Sequence, residues 1–365
     1  MMSSKDIAKI AGVSRSTVSR VINNYKNVPP ETRKKVMEVI EKYNYRPQMS
    51  GRVLSGKKTN TIGIFVVSIS PENDSFYKLN LFNNNYFGPI VDAIIDIANA
   101  NGYYTIVKII YKKEDYSKLI DTFAEKRIDG GIIIGLNRKE NIIFDIAKIL
   151  MPFILIHYDE NYLFKNINSD VPFGIVSTFD YEAAIEATDY LISHGHKKIA
   201  FVSGRLNNYS AYERLKGFFE TMKKNNFEIK KEYIIFGNYL IYKTHMEIKK
   251  LIEQTKDLPT AIICANDDMA LETINTLKTY GIKIPEDISI IGFDDIPFAN
   301  LSSPTLTTMK MPLYNMAETS FQFLDNLLKG KTNHFFKKFN LTLAPRESVK
   351  KISWKNKFAI DFFLL

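Results

Sequence analysis

The sequence is poor in the residues that catalysis and covalent stapling draw on. Of 365 residues, one is cysteine, one is tryptophan and five are histidine. A single cysteine excludes an internal disulfide. Cys264 sits in the apolar run AIICA and reads as a core thiol of a reducing compartment, because a nucleophilic thiol needs a polar, electropositive setting. His194 and His196 share a helix end but lack a third ligand, so a turn fits them better than a metal site. GKKT at 56–59 lacks the upstream glycine spacing of a phosphate loop. The pairs Asp267-Asp268 and Asp294-Asp295 stand without the companions a hydrolase needs. No apolar run approaches the ~20 residues of a membrane span, and no signal-peptide pattern is visible. These absences predict a cytoplasmic protein that is not an enzyme and holds neither metal nor cofactor.

What is present is uneven. Residues 1–60 carry 13 Lys and Arg against four Asp and Glu, whereas the remaining 305 residues carry 36 of each sign. The whole net charge of +9 therefore belongs to the first sixth of the chain. Such asymmetry marks a polyanion binder, since each phosphate neutralised releases condensed counterions. A length of 365 residues exceeds what one hydrophobic core usually serves, which predicts two or three domains.

The basic segment opens with helical spacing. Ser4 is placed to cap a first helix with Ile7, Ala8, Ile10 and Ala11 on its apolar side, and Gly12 ends it. Ser14 starts a second helix that runs to about Asn23. Val18, Val21 and Ile22 share one face, while Arg15, Ser16, Ser19, Arg20 and Asn23 share the other. That second face has the form of a recognition helix, because arginine pairs bidentately with guanine edges and hydroxyls serve bases or phosphates. A third helix follows the Pro29-Pro30 pair with Val36, Val39, Ile40 and Tyr43 as its stripe. Residues 46–60 read as a linker.

DIAKIAGVSRSTVSRVIN followed by VPPETRKKVMEVIEKYNYRP resembles the helix-turn-helix headpiece of the lactose/galactose repressor (LacI/GalR) family. The resemblance implies a DNA-binding transcriptional regulator that acts on double-stranded operator DNA as a homodimer or tetramer. Arg15, Ser16 and Arg20 would then face bases, with Thr17, Ser19 and Asn23 reaching phosphates or supplementing base contacts. In that family the linker folds into a hinge helix on the operator, and a leucine from each subunit wedges into the minor groove; Leu54 matches it. Gly51 stands where the family usually has alanine, at about 0.5–1 kcal/mol of helix stability, so the hinge is expected to fold less readily. Pro29 replaces the usual serine cap.

Beyond residue 60, short β-branched runs alternate with amphipathic stretches. Eight strands are expected at 61–67, 103–109, 130–135, 151–156, 198–203, 233–236, 261–265 and 288–293, which suits an α/β fold with two parallel sheets. IDGGIIIG, LISHGHKKIAFVSG, ERLKGF, PTAIICANDDMA, PEDISIIGFDDIPFANLSSPTLTTM and PRES extend the resemblance from Ser4 to Ser348. It implies an effector-binding core at 61–348 like that of periplasmic sugar-binding proteins. The subdomains are expected at 61–170 with 305–332, and at 171–304 with 333–348, after a headpiece at 1–45.

Ligands of open parallel sheets settle beyond the carboxyl ends of strands. By motif, Arg214, Asn266 and Asp294 match positions that bind effector hydroxyls, with Phe293 and the Tyr86-Phe87 pair as aromatic walls and Asn137 following a strand. Asp267 reads as a helix cap. Where the family often has Asp-Arg, with the arginine facing the cleft, this chain has His157-Tyr158, which puts Tyr158 in the arginine's place. Residues 68–85 are longer and more polar than the family's loop, and NNYF closes them; the readings are a cleft enlarged for an oligosaccharide or glycoside, or a loop without a binding role. The expected effector is a sugar or glycoside, the alternatives being a protein partner or nucleobase corepressor and, from another class, a sugar-binding receptor or enzyme. The tail at 349–365 either packs on the core or mediates tetramers.

Overall fold

Ser3, one residue before the expected Ser4, caps the first helix. Its Oγ accepts from the Asp6 N–H at 3.3 Å, while the Asp6 carboxylate accepts from the Ser3 N–H at 2.8 Å. The reciprocal pair satisfies two N–H groups that a helix start leaves open. A computed structural model describes residues 2–45, 58–69, 81 and 84–352. Gly51 and Leu54, most of the 68–85 segment and the tail from 353 lie outside the described residues. The chain forms two units, Met1–Thr59 and Asn60–Leu365.

In the first unit, α1 (Ser4–Ala11) ends at Gly12, whose φ of 63° is the left-handed conformation that glycine adopts without steric cost. Ser14 then caps α2 (Arg15–Ile22), its Oγ accepting from the Thr17 N–H at 3.1 Å. With α3 (Pro30–Lys42), these helices bury Ile7, Ala8, Ala11, Val18, Val21 and Val36. Ile10 and Tyr43, expected on apolar stripes, are 44% and 42% exposed. Asn44, at φ 44°, reverses the chain after α3 and carries Tyr45 back into the core instead.

The second unit contains β1 (Thr61–Val67), α4 (Phe87–Ala100), β2 (Tyr104–Ile110), α5 (Tyr116–Ala124), β3 (Gly130–Ile134), α6 (Ile142–Ala147), β4 (Phe153–Ile156), α7 (Glu160–Asn166) and β5 (Phe173–Thr178). There follow α8 (Asp180–Ser193), β6 (Ile199–Ser203), α9 (Tyr209–Lys224), β7 (Ile234–Phe236), α10 (Ile241–Gln254), β8 (Ala261–Cys264), α11 (Asp267–Thr279) and β9 (Ser289–Asp294). The chain then adds β10 (Thr307–Lys310), α12 (Leu313–Leu328), β11 (His334–Phe339) and β12 (Thr342–Ala344). Two sheets result, in the orders β11-β5-β4-β3-β1-β2 and β12-β10-β9-β8-β6-β7. All pairings are parallel except that β12 runs antiparallel to β10.

The sheets divide the chain differently from the expected boundaries. Residues 173–178 belong to the first sheet, where β5 pairs with β4 and β11, and so does 334–339. Residues 307–310 belong to the second sheet, beside β9. Backbone pairing decides this, because each strand continues the ladder of its neighbour before the chain crosses over. The crossings fall at Phe179, at Met311-Pro312 and at Asn340-Leu341. Four strands, β5, β10, β11 and β12, were not among the eight expected. Among the described residues no helix is long and apolar enough to cross a membrane.

Candidate functional site

The strands of both sheets end at one cleft. Residues that follow them line a cavity of about 540 Å³: Ser68 and Ile69 after β1, Asn137 after β3, His157 after β4, Asn238 and Tyr239 after β7, Asn266 after β8 and Asp294 at the end of β9. Burial concentrates here because both sheets are covered by helices and only the loops between the lobes leave space. The lobes meet across the cleft. Asn85 Nδ2 donates to Asp268 Oδ1 at 2.8 Å, Arg205 Nη1 donates to the Ile69 carbonyl at 2.6 Å, and the Arg138 N–H donates to the Asn207 carbonyl at 2.7 Å.

Arg214, in the second turn of α9, is the organising cation. It is almost fully buried, and its Nε and Nη2 both reach Asp180 Oδ1 at 2.7 Å. Nη1 donates to the Ala265 carbonyl at 2.5 Å, Asp294 Oδ1 lies 3.9 Å from Nη1, and the guanidinium sits 4.4 Å from the centre of the Phe293 ring. Burial works against the Asp180 charge, yet Arg214, His157 and the Thr178 hydroxyl outweigh it and hold the carboxyl below its ordinary range. In the sequence Asp180 looks like any acid in the first turn of a helix. Nothing local signals a partner 34 positions away.

Several expected residues line the cavity: Tyr86, Phe87, Asn137, Arg214, Asn266 and Asp294. Asn84 holds the first two in place, its Oδ1 accepting from the N–H groups of Tyr86 at 3.0 Å and Phe87 at 2.6 Å. Asn266 caps α11 by accepting from the Met269 N–H at 3.0 Å, which takes one lone pair of its oxygen and leaves its NH₂ to offer a ligand. Burial pushes the Asp294 carboxyl well above its ordinary range, against the pull of Arg214.

Three expectations are corrected. Phe293 lies beneath Arg214, fully buried, and is a floor for the cation and not a cavity wall. Tyr158 points into the first lobe, where its hydroxyl donates to the Glu140 carbonyl at 2.9 Å. His157, at φ 56°, breaks the alternation of β4 and takes the cavity position instead. Asp267 is no cap: it is buried, accepts from Thr308 Oγ1 at 2.6 Å and the Ile296 N–H at 3.0 Å, and fastens β10 to the loop after β9. Burial pushes its carboxyl up to about 7.

In the first unit, Arg15, Ser16, Ser19 and Arg20 are exposed on α2, with Thr17 and Asn23 half-buried. Arg15 Nε donates to Ser4 Oγ at 3.0 Å, the Ser14 hydroxyl meets those of Ser16 at 2.6 Å and Thr17 at 2.8 Å, and Asn23 Nδ2 folds back onto the Ser19 carbonyl at 2.5 Å. Arg20 has no such anchor among the described residues. Arg33 braces the exit of α2 by donating to Asn24 Oδ1 at 2.7 Å and to the Tyr25 carbonyl at 2.5 Å.

Residues 4–48 match the bacterial regulatory proteins of the lacI family, and residues 188–349 match a periplasmic binding protein-like domain. The HTH-type transcriptional repressor PurR of Vibrio vulnificus (strain CMCP6) is 33% identical over 97% of this chain and 100% of its own length. The chain belongs to the LacI family. Catabolite control protein A of Priestia megaterium is 32% identical, covering 90% of this chain and 92% of that protein. The Lac repressor dimer bound to operator and the anti-inducer ONPF shares the fold at a TM-score of 0.77 and 23% identity, covering 96% and 99% of the two chains. The transcriptional regulator CelR in its cellobiose complex does so at 0.70 and 23%, covering 95% and 100%. This LacI-family protein is a DNA-binding transcriptional repressor and not an enzyme.

Proposed function

We propose that this repressor works as a homodimer in which two α2 helices read a near-palindromic operator, while a neutral carbohydrate of glycoside or disaccharide size in the cleft sets the angle between the lobes. The cavity carries the ligand reading. Its volume of about 540 Å³ falls among pockets that enclose a small organic ligand, about 300–1,000 Å³. Six asparagines line it, Asn84, Asn137, Asn207, Asn208, Asn238 and Asn266, beside Tyr86, Phe87 and Tyr239. Amides both donate and accept, which suits hydroxyls, and aromatic faces suit the apolar side of a sugar ring. Two of the three cations in the lining are already matched by carboxylates, since Arg214 is paired with Asp180 and Lys113 lies 3.6 Å from Glu140, and the third, Arg205, donates Nη1 to the Ile69 carbonyl at 2.6 Å.

Dimerisation is supported by apolar surface at the edges of both sheets. Tyr104 on β2 is 68% exposed, and Ile241 and Met246 on the helix after β7 are 56% and 62% exposed. Such side chains gain by being covered. By linkage, operator must alter effector affinity by the same factor as effector alters operator affinity.

Thermal-shift measurements with glycosides, disaccharides and purines test the ligand class. A glycoside present at a hundred times its Kd is expected to raise the Tm of the effector unit by roughly 5–10 °C. A rise with purines alone would replace the carbohydrate. For the headpiece, Arg20→Ala is expected to weaken cognate operator binding by about 1–3 kcal/mol, read by fluorescence anisotropy. Equal weakening on every duplex would reduce Arg20 to a phosphate contact.

A further inference from the structure

Two side-chain contacts grip the start of α9 from the first lobe without lining the cavity. In one, Lys338 on β11 donates Nζ to the Tyr209 hydroxyl at 2.9 Å while paired with Glu160 of its own lobe. In the other, the guanidinium carbon of Arg138, three residues beyond Gly135, stands 3.5 Å from the centre of the Tyr212 ring. The Arg138 N–H adds a backbone tie to the same place, donating to the Asn207 carbonyl at 2.7 Å just before α9 begins. Neither Arg138 nor Tyr212 is among the residues that line the cavity.

The two contacts differ in their distance from the points where the chain crosses between lobes. Lys338 lies two residues before the Asn340-Leu341 crossing, so a rotation of the lobes scarcely moves it. Arg138 follows β3, which is two strands from the crossing strand β5, about 10 Å at the ordinary spacing of strands. An opening of about 15° around the crossings carries a group at that radius roughly 2–3 Å, enough to part the stack and the backbone tie together. Lys338 is therefore a pivot, and Arg138 is what opening must break. Its guanidinium is aimed from within its own lobe, 3.9 Å from Asp159 Oδ2, while Asp159 Oδ1 caps α7 by accepting from the Tyr162 N–H at 3.0 Å. With the Arg138 side chain 19% exposed, the cation is largely withdrawn from water, the setting in which an aromatic face holds it best.

We propose that Arg138 and Tyr212 form a clasp that biases the lobes toward closure before any effector arrives. A cation on an aromatic face shifts such an equilibrium by roughly five- to thirtyfold. An effector that favours one lobe angle then works on a balance the clasp has already tilted, and its apparent affinity follows the population it selects. The inference does not depend on which effector the cavity takes. It assigns a conformational role to two residues that a ligand in the cavity does not touch.

Amide hydrogen exchange on the full-length, ligand-free protein tests this, because the N–H at position 138 is bonded across the lobes and reports their opening. Tyr212→Leu keeps an apolar side chain but no ring face, and Arg138→Met keeps the stem but no charge. Each is expected to quicken exchange at position 138 by roughly five- to thirtyfold, while the amides of Ile132–Ile134 within β3 keep their wild-type rates. Tyr212→Phe, which retains the ring, should exchange as the wild type does. The double variant should exchange no faster than either single one, the coupling expected of two groups that act on each other. Wild-type exchange at position 138 in both single variants overturns the clasp, as does equally fast exchange in Tyr212→Phe and Tyr212→Leu. Faster exchange that spreads to the β3 amides also overturns it, since the pair would then support the fold of a lobe and not the angle between two.

Discussion

Asp180→Ala lowers the stability of the effector unit by about 3–5 kcal/mol in urea denaturation, the loss expected when one partner of a buried ion pair is removed. The magnitude follows from what the change leaves behind. Arg214 is buried with both Nε and Nη2 committed to Asp180, and its remaining carboxylate neighbour, Asp294, lies 3.9 Å away. A guanidinium cannot shed its proton to escape, so the cation stays charged in a place built for a pair. The double change Asp180→Leu with Arg214→Met should recover most of the stability, because a buried pair replaced as a whole by apolar side chains is often neutral or better. It should not recover an effector response, since Arg214 lines the cavity. Wild-type stability in Asp180→Ala would show that the pair is not what holds α8 and α9 in register.

Gly135→Val is expected to cost about 3 kcal/mol or more. Gly135 directly follows β3 at the cavity wall with φ 86°, and a Cβ there would stand 2.3 Å from the Val67 carbonyl oxygen and 3.0 Å from the Phe87 ring. Neither neighbour can give easily, because Val67 ends the adjacent strand and Phe87 opens α4. Gly102→Ala separates the two penalties: its φ is 78° but no atom lies within 4 Å, so only the conformational cost of about 1–2 kcal/mol applies. Equal melting of the two variants would mean that the wall of the cavity yields.

The recognition helix was legible because its information is local: Ser14, Gly12 and the valine spacing of α2 lie within one short stretch. Eight strands are legible as apolar runs, but β5 and β10 are not, because glycine, serine and threonine dilute FGIVST and TTMK although both strands are largely buried. The outer strands were not, since His334–Phe339 and Thr342–Ala344 carry lysines and threonine and are only partly buried. Which sheet each strand joins was hidden too, because pairing is set by partners more than a hundred residues away, as for β11 and β5. In the cavity, residues standing just after apolar strands were found. His157 and Tyr158 were exchanged, as one left-handed residue reverses which side chain faces out. Ser210 and Asp180 were missed because their partners come from the other lobe or a different helix.

The two strands that follow α12 go to different sheets, β11 to the first and β12 to the second. A chain emerging from a ribosome therefore completes neither lobe until almost all of the effector unit has been made. Until then the outermost edge next to β5 and the one next to β10 stand open, and open edges invite pairing with the wrong strand. The late arrival of His334–Ala344 makes the finishing of both halves one nearly simultaneous event, and a product released early would carry two unclosed ladders and not one sound half.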